Sequence, residues 1–108
     1  MKNLQILLIL SLAVGSLCTT GIDVANAITT SAFTCAKNAG YSFAIVRAWR
    51  SYGAFDPNVV ANLKNAKSAG LTTDIYMFPC RGKSATTQVD ETIAGVPGDL
   101  YTHVWVDV

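Results

Sequence analysis

Past the first twenty residues, short apolar runs and amphipathic runs alternate with little sequence between them. Gly21-Ile22-Asp23-Val24 is apolar except for Asp23 and predicts a strand. Ser31 to Asn38 predicts a short helix, with Thr29 or Thr30 as its N-cap and Gly40 as its stop. Ser42-Phe43-Ala44-Ile45-Val46-Arg47-Ala48-Trp49 is nearly continuously apolar, as strands covered on both faces are. The next helix is the best marked: Asp56 as N-cap, Pro57 at the first helical position and Gly70 as terminator frame a stripe of Val59, Val60, Leu63, Ala66 and Ala69. Asp74 to Phe78 predicts a third strand closed by Pro79, and Ser84 to Ile93 a third helix. After the turn Val96-Pro97-Gly98-Asp99, Thr102 to Val108 predicts a last strand.

The order β-α-β-α-β-α-β implies an α/β fold whose parallel strands are joined by right-handed helical crossovers. Doubly wound sheets and (β/α) barrels share this beginning. A dinucleotide fold wants a glycine-rich loop after the first strand, and Asp23-Val24-Ala25-Asn26 stands there instead. Polar residues at the C-terminal ends of several strands follow the barrel plan, so the expected architecture is a TIM-like barrel. Such barrels need at least roughly 200 residues. The chain is therefore expected to be the N-terminal half of one, its last strand stopping at Val108 with no loop or cap after it.

Composition adds a compartment. Lys2, an apolar run from Leu4 to Val14 broken only by Gln5 and Ser11, and the small residues Gly15, Ser16 and Cys18 have the plan of a secretory signal peptide. Cleavage is expected between Cys18 and Gly21, which makes residues 1–20 the signal and 21–108 the barrel portion. The run is shorter than the roughly 20 apolar residues that span a membrane, and Leu17 ahead of Cys18 argues against lipid attachment. Removing Lys2 from the eight basic side chains leaves seven against seven acidic ones. That balance gives no case for nucleic acid or an anionic membrane as partner. In an oxidising compartment, Cys35 and Cys80 are left as an even pair and predict a disulfide. Two alternatives stay open: either pairs with a cysteine beyond these residues, or Cys35 is a small buried apolar group.

The candidate chemistry lies in strand-borne carboxylates, because an aspartate in apolar company needs a partner or a task. Alternation puts His103, Trp105 and Asp107 on one face of the last strand and Val104, Val106 and Val108 on the other, toward outer helices. The first face would look into the barrel, toward Asp23 on a neighbouring strand and Arg47 on the second. Glycoside hydrolysis needs an acid to protonate the leaving oxygen and a carboxylate to stabilise or attack the sugar carbon. A D-x-E arrangement supplies both from one face, about 6–7 Å apart by strand rise. Asp107 and the spacer Val108 are present, and the glutamate position falls immediately after Val108.

These residues match a family. The chain resembles the secreted eukaryotic branch of glycoside hydrolase family 25, the Chalaropsis-type muramidases. The resemblance rests on Gly21-Ile22-Asp23-Val24, Gly40-Tyr41-Ser42-Phe43-Ala44-Ile45-Val46-Arg47-Ala48, and Phe55-Asp56-Pro57-Asn58 with Asn62 and Ala69-Gly70-Leu71. It continues through Asp74-Ile75-Tyr76-Met77-Phe78-Pro79-Cys80 to Trp105-Val106-Asp107. It implies cleavage of the β-1,4 bond between N-acetylmuramic acid and N-acetylglucosamine in peptidoglycan, without metal or cofactor. It matches Asp23 and Asp107 to catalytic aspartates and Tyr76 to a tyrosine lining the substrate site. The Thr-Glu-Gly of many bacterial members is replaced by Trp49-Arg50-Ser51, so no catalytic role passes to that stretch. A secreted protein acting outside the cell or in a lysosomal or phagosomal lumen is implied, monomeric when full length, with peptidoglycan as its partner.

Blander assignments stand beside these. Asp23 suits a helix cap, and Tyr76 and Trp49 serve equally as core aromatics or as sugar platforms. Arg47 is expected to support the site by holding an active-site carboxylate charged. Asp56 is a helix start with no chemistry, and His103 is given no role. A different class of function also remains: a non-catalytic secreted remnant that at most binds peptidoglycan or a partner.

Overall fold

The computed structural model describes residues 18–108, so the expected signal peptide falls mostly outside the described residues. Strands β1 (Gly21–Val24), β2 (Phe43–Arg50), β3 (Ala54–Phe55), β4 (Thr72–Met77) and β5 (Val104–Val106) alternate with helices α1 (Thr30–Asn38), α2 (Val59–Ser68) and α3 (Ala85–Gly95). A single 3-10 turn, Gly98–Leu100, precedes β5. Four strands run parallel in the order β1-β2-β4-β5, and β3 pairs antiparallel with the end of β2. This is the α/β architecture expected, consistent with half of a TIM-like barrel.

Each helix is set by local chemistry and then by burial. Thr29 Oγ accepts from the Ala32 N–H at 3.1 Å, satisfying one orphan donor at the start of α1. Gly40 ends α1 with φ +103°, and Gly70 ends α2 with φ +90°, backbone that a side chain would strain. Phe33 of α1 is fully buried against Ala44, Ala66 and Leu71, worth about 1.5–3 kcal/mol. Val59 and Leu63 of α2 pack with Val46, Ala48 and Ile75 of the sheet. The polar Asn62 interrupts the expected apolar stripe and is buried as well. Its Oδ1 accepts from Ile28 N at 2.8 Å and its Nδ2 donates to Asn26 O at 2.8 Å, which ties down the loop following Asp23.

Three expectations are corrected here. Helix α2 begins at Val59, so Asp56 and Pro57 precede it. Asp56 Oδ1 still accepts from the Asn58 N–H at 2.9 Å, capping the turn one step earlier. The hairpin of β2 and β3 was not expected, because a two-residue strand leaves no periodicity to read. The last strand is three residues long instead of seven. The N–H groups of Thr102 and His103 go to the Asp74 carboxylate, and Val104 and Val106 are 39% and 57% exposed, with no outer helix over them among the described residues.

Candidate active site

Period-two alternation carries one side chain in two to the sheet face opposite the helices. Ile22 and Val24 pack toward the helices and Asp23 projects to the other side. On β2 that side holds Ile45 and Arg47, with Ala44, Val46 and Ala48 buried beneath the helices. Tyr76 of β4 pairs in register with Arg47 on one side and Trp105 on the other. Asp107, just past β5, keeps the ladder by donating its N–H to Met77 O at 3.0 Å.

Asp23, Ile45, Tyr76, Trp105, Val106 and Asp107 line one cavity of about 280 Å³ at the C-terminal ends of the strands. The two aspartates therefore share a cavity, but they are not on neighbouring strands as expected. β1 and β5 lie at opposite edges with β2 and β4 between them, and both carboxylates turn to the same face. Both are solvent-exposed. Tyr76 is half-buried between them. Burial pushes its phenol pKa up; Arg47 opposes this, and the Asp23, Asp107 and Asp56 carboxylates reinforce it. The phenol thus stays a proton-bearing donor between two acceptors.

A larger cavity of about 530 Å³ opens lower on the same face, beside Phe43, Thr73, Asp74, His103 and Trp105. Its carboxylate is already committed. Asp74 Oδ1 accepts from His103 N at 2.8 Å and Oδ2 from Trp105 Nε1 at 3.0 Å, with His103 Nδ1 at 3.3 Å. These bonds outweigh the opposing effect of burial and hold its pKa below the usual carboxylate range. The two aspartates of the smaller cavity have no such partners among the described residues.

Trp49 is not a sugar platform. Register shifts between Arg47 and Trp49, so a bulge at Ala48 reverses the parity of the strand end and turns the indole under α3. Trp49 is 2% exposed and its Nε1 donates to Gln88 Oε1 at 2.8 Å. Gln88 also accepts from Cys80 N at 2.7 Å, closing the loop after β4 onto the same indole. The predicted disulfide is absent. Cys35 lies on the exposed side of α1 and Cys80 in the loop beyond the C-terminal end of β4, and both are free thiols.

Arg47 also has a different partner from the one expected. Its Nε donates to Asp56 Oδ2 at 2.8 Å, while Arg50 Nε stands 3.6 Å from the same oxygen. Asp56, treated in the sequence as a helix start alone, is fully buried. A signal for it was present in the two arginines at the end of β2, since a carboxylate beside a buried turn needs a cation. Trp105 was likewise given no role, although its parity with Asp107 placed it on the cavity face.

The family described as "Lysozyme-like protein 1" matches residues 16–108. "Lysozyme-like protein 5" of Caenorhabditis elegans is 41% identical over 114 residues, covering 100% of this chain and 53% of that protein. "Probable GH family 25 lysozyme 2" of Dictyostelium discoideum is 40% identical over 93 residues, covering 82% of this chain and 43% of that protein. The chain thus spans about half the length of the curated relatives it matches. A muramidase from Trichobolus zukalii superposes with a TM-score of 0.62 at 19% identity, over 83% of this chain and 46% of that one, a likeness of fold.

Proposed function

The chain belongs to the lysozyme-like family, kin to the glycoside hydrolase family 25 lysozymes, and from that premise we propose that residues 21–108 supply one side of a peptidoglycan-cleaving site. The observation that carries the reading is the shared cavity of Asp23, Tyr76 and Asp107 at the C-terminal ends of parallel strands, where barrel enzymes do their chemistry. The substrate would be the β-1,4 bond between N-acetylmuramic acid and N-acetylglucosamine. Asp107 stabilises or attacks the sugar carbon as positive charge develops there, and Asp23 accepts from the substrate across the cavity. Tyr76, neutral and proton-bearing, donates to a substrate oxygen between them.

Protonation of the leaving oxygen falls to a group outside these three. The D-x-E pattern assigns it to a glutamate two positions after Asp107. Secretion, with residues 1–20 as signal, and action in an extracellular or lysosomal lumen complete the reading. The monomeric state expected of the full-length protein belongs to the same proposal.

The test pairs two assays on purified peptidoglycan: co-sedimentation for binding and appearance of new reducing ends for cleavage. In a polypeptide carrying glutamate two residues after Asp107, Asp107→Asn is expected to lower cleavage by about 10²-fold or more, the scale of one positioned carboxylate, while binding persists. Cleavage at an undiminished rate overturns the reading. Binding without cleavage even when the glutamate is present favours the non-catalytic alternative.

A further inference from the structure

Asp56 is the most deeply buried carboxylate beside the cavity, and the reaction just described makes no use of it. It is fully buried, whereas the Arg47 and Arg50 side chains that approach its Oδ2 are each 27% exposed. Its other oxygen is occupied by the Asn58 N–H. Burying a carboxylate without a bonded cation is very costly, so the 2.8 Å bond from Arg47 Nε is the contact that makes this position tenable. Arg50 adds charge but no hydrogen bond through Nε, which is buried and unpartnered; its Nη1 instead donates to the Tyr52 hydroxyl at 2.6 Å.

Arg47 has a second acceptor within reach. Asp23 pairs in register with Ile45, so Arg47 lies two residues further along the neighbouring strand on the same face, a diagonal separation of about 7–8 Å between Cα atoms. A guanidinium spans that distance easily. The structure nonetheless turns it the other way, to Asp56, leaving Asp23 without a cation bonded to it among the described residues.

We propose that Asp56 is a positioning residue: it holds the Arg47 guanidinium away from Asp23, on the strand position paired with Tyr76, and so prevents it from closing onto Asp23. The inference rests on the reading of the cavity as the substrate site. One consequence follows for that site: Asp23 keeps its lone pairs for the substrate, while Arg47 is held by its Nε bond to Asp56. The charged and titratable groups around this part of the sheet are Arg47 and Arg50 on β2, Asp56 after β3, Tyr76 on β4 and Asp107 after β5, with Asp74 and His103 lower down.

The experiment is a carboxyl titration of Asp23 by carbon NMR in the wild-type protein, Asp56→Asn, Arg47→Gln and the double variant, beside thermal unfolding. In folded Asp56→Asn, Arg47 is released onto Asp23, whose midpoint is expected to fall by about one pH unit, the effect of an opposite charge arriving within contact distance. Arg47→Gln in the same background is expected to remove that fall. Arg47→Gln alone removes a cation bonded to Asp56 and not to Asp23, keeps an amide donor for Asp56, and is expected to leave the Asp23 midpoint within about half a unit of wild type. An unchanged midpoint in folded Asp56→Asn overturns the proposal. If that variant does not fold, a rise of about one unit in Arg47→Gln alone does so, because it would mean that Arg47 already sits on Asp23. These readouts need no cleavage, so they stand or fall separately from the muramidase reading. Where cleavage is measured, Asp56→Asn is expected to lose about tenfold or more in kcat/KM.

Discussion

Replacing Asp74 by alanine tests whether a side chain, more than the ladder, holds the strand that delivers Asp107. Among the described residues β5 is three residues long and pairs with β4 alone. Asp74 adds bonds from Trp105 Nε1 at 3.0 Å and His103 N at 2.8 Å, and a longer one from Thr102 N at 3.3 Å. Hydrogen bonds to a charged acceptor are worth about 1.5–3 kcal/mol each where buried. The donors here are exposed and can turn to water, so the net loss is expected to be about 1.5–3 kcal/mol for all of them together. For a domain of this size each kcal/mol moves Tm by about 4–8 °C, which gives a fall of roughly 6–24 °C. The carboxyl titrates below its ordinary value in the folded protein, burial being outweighed by the bonds from Trp105, His103 and Thr102. Its contribution is therefore full above the unfolded value of about 4 and is lost as pH falls through the folded value. Thermal unfolding by circular dichroism at pH 7 and pH 3 should show the wild type and Asp74→Ala far apart at the first and closer at the second. Hydrogen exchange should speed up first at Thr102 to Val106. Equal Tm values at pH 7, or a gap of the same size at both pH values, would refute the reasoning.

Trp49→Phe should cost about 1–3 kcal/mol by leaving the Gln88 carbonyl short of a buried donor, and added glycan fragments should not change Trp49 fluorescence; quenching of Trp49 by sugar would contradict its burial. Cys35 should react with a thiol reagent in the native protein, and reducing agent should leave Tm unchanged; a thiol protected until reduction would restore the disulfide. Gly21→Ala should destabilise by about 1–3 kcal/mol, since the added Cβ would run into the Phe43 ring at the start of the strand that carries Asp23. An unchanged denaturant midpoint would show that the ring yields freely.

Apart from the short β3, the order of strands and helices, the parallel pairing and the face chosen by Asp23 and Asp107 were legible from local patterns. A period of two separates Asp23 from Ile22 and Val24, and a helical period lines up Val59, Leu63 and Ala66. The resemblance to family 25 was legible in the same segments, and the family match over residues 16–108 agrees with it. What the local pattern left open is decided by single residues acting over distance. One extra residue at Ala48 turned Trp49 from the cavity to the core, and no periodicity announces a bulge. Arg47 had several carboxylates it could have served, and the choice of Asp56 depended on a hairpin too short to read. The Cys35 and Cys80 thiols were an even pair by count, but only the packing of their elements decides whether two sulfurs meet. Periodicity tells which face a side chain takes; which partner it finds on that face is fixed by the register and curvature of the whole sheet, a property no segment of the sequence holds alone.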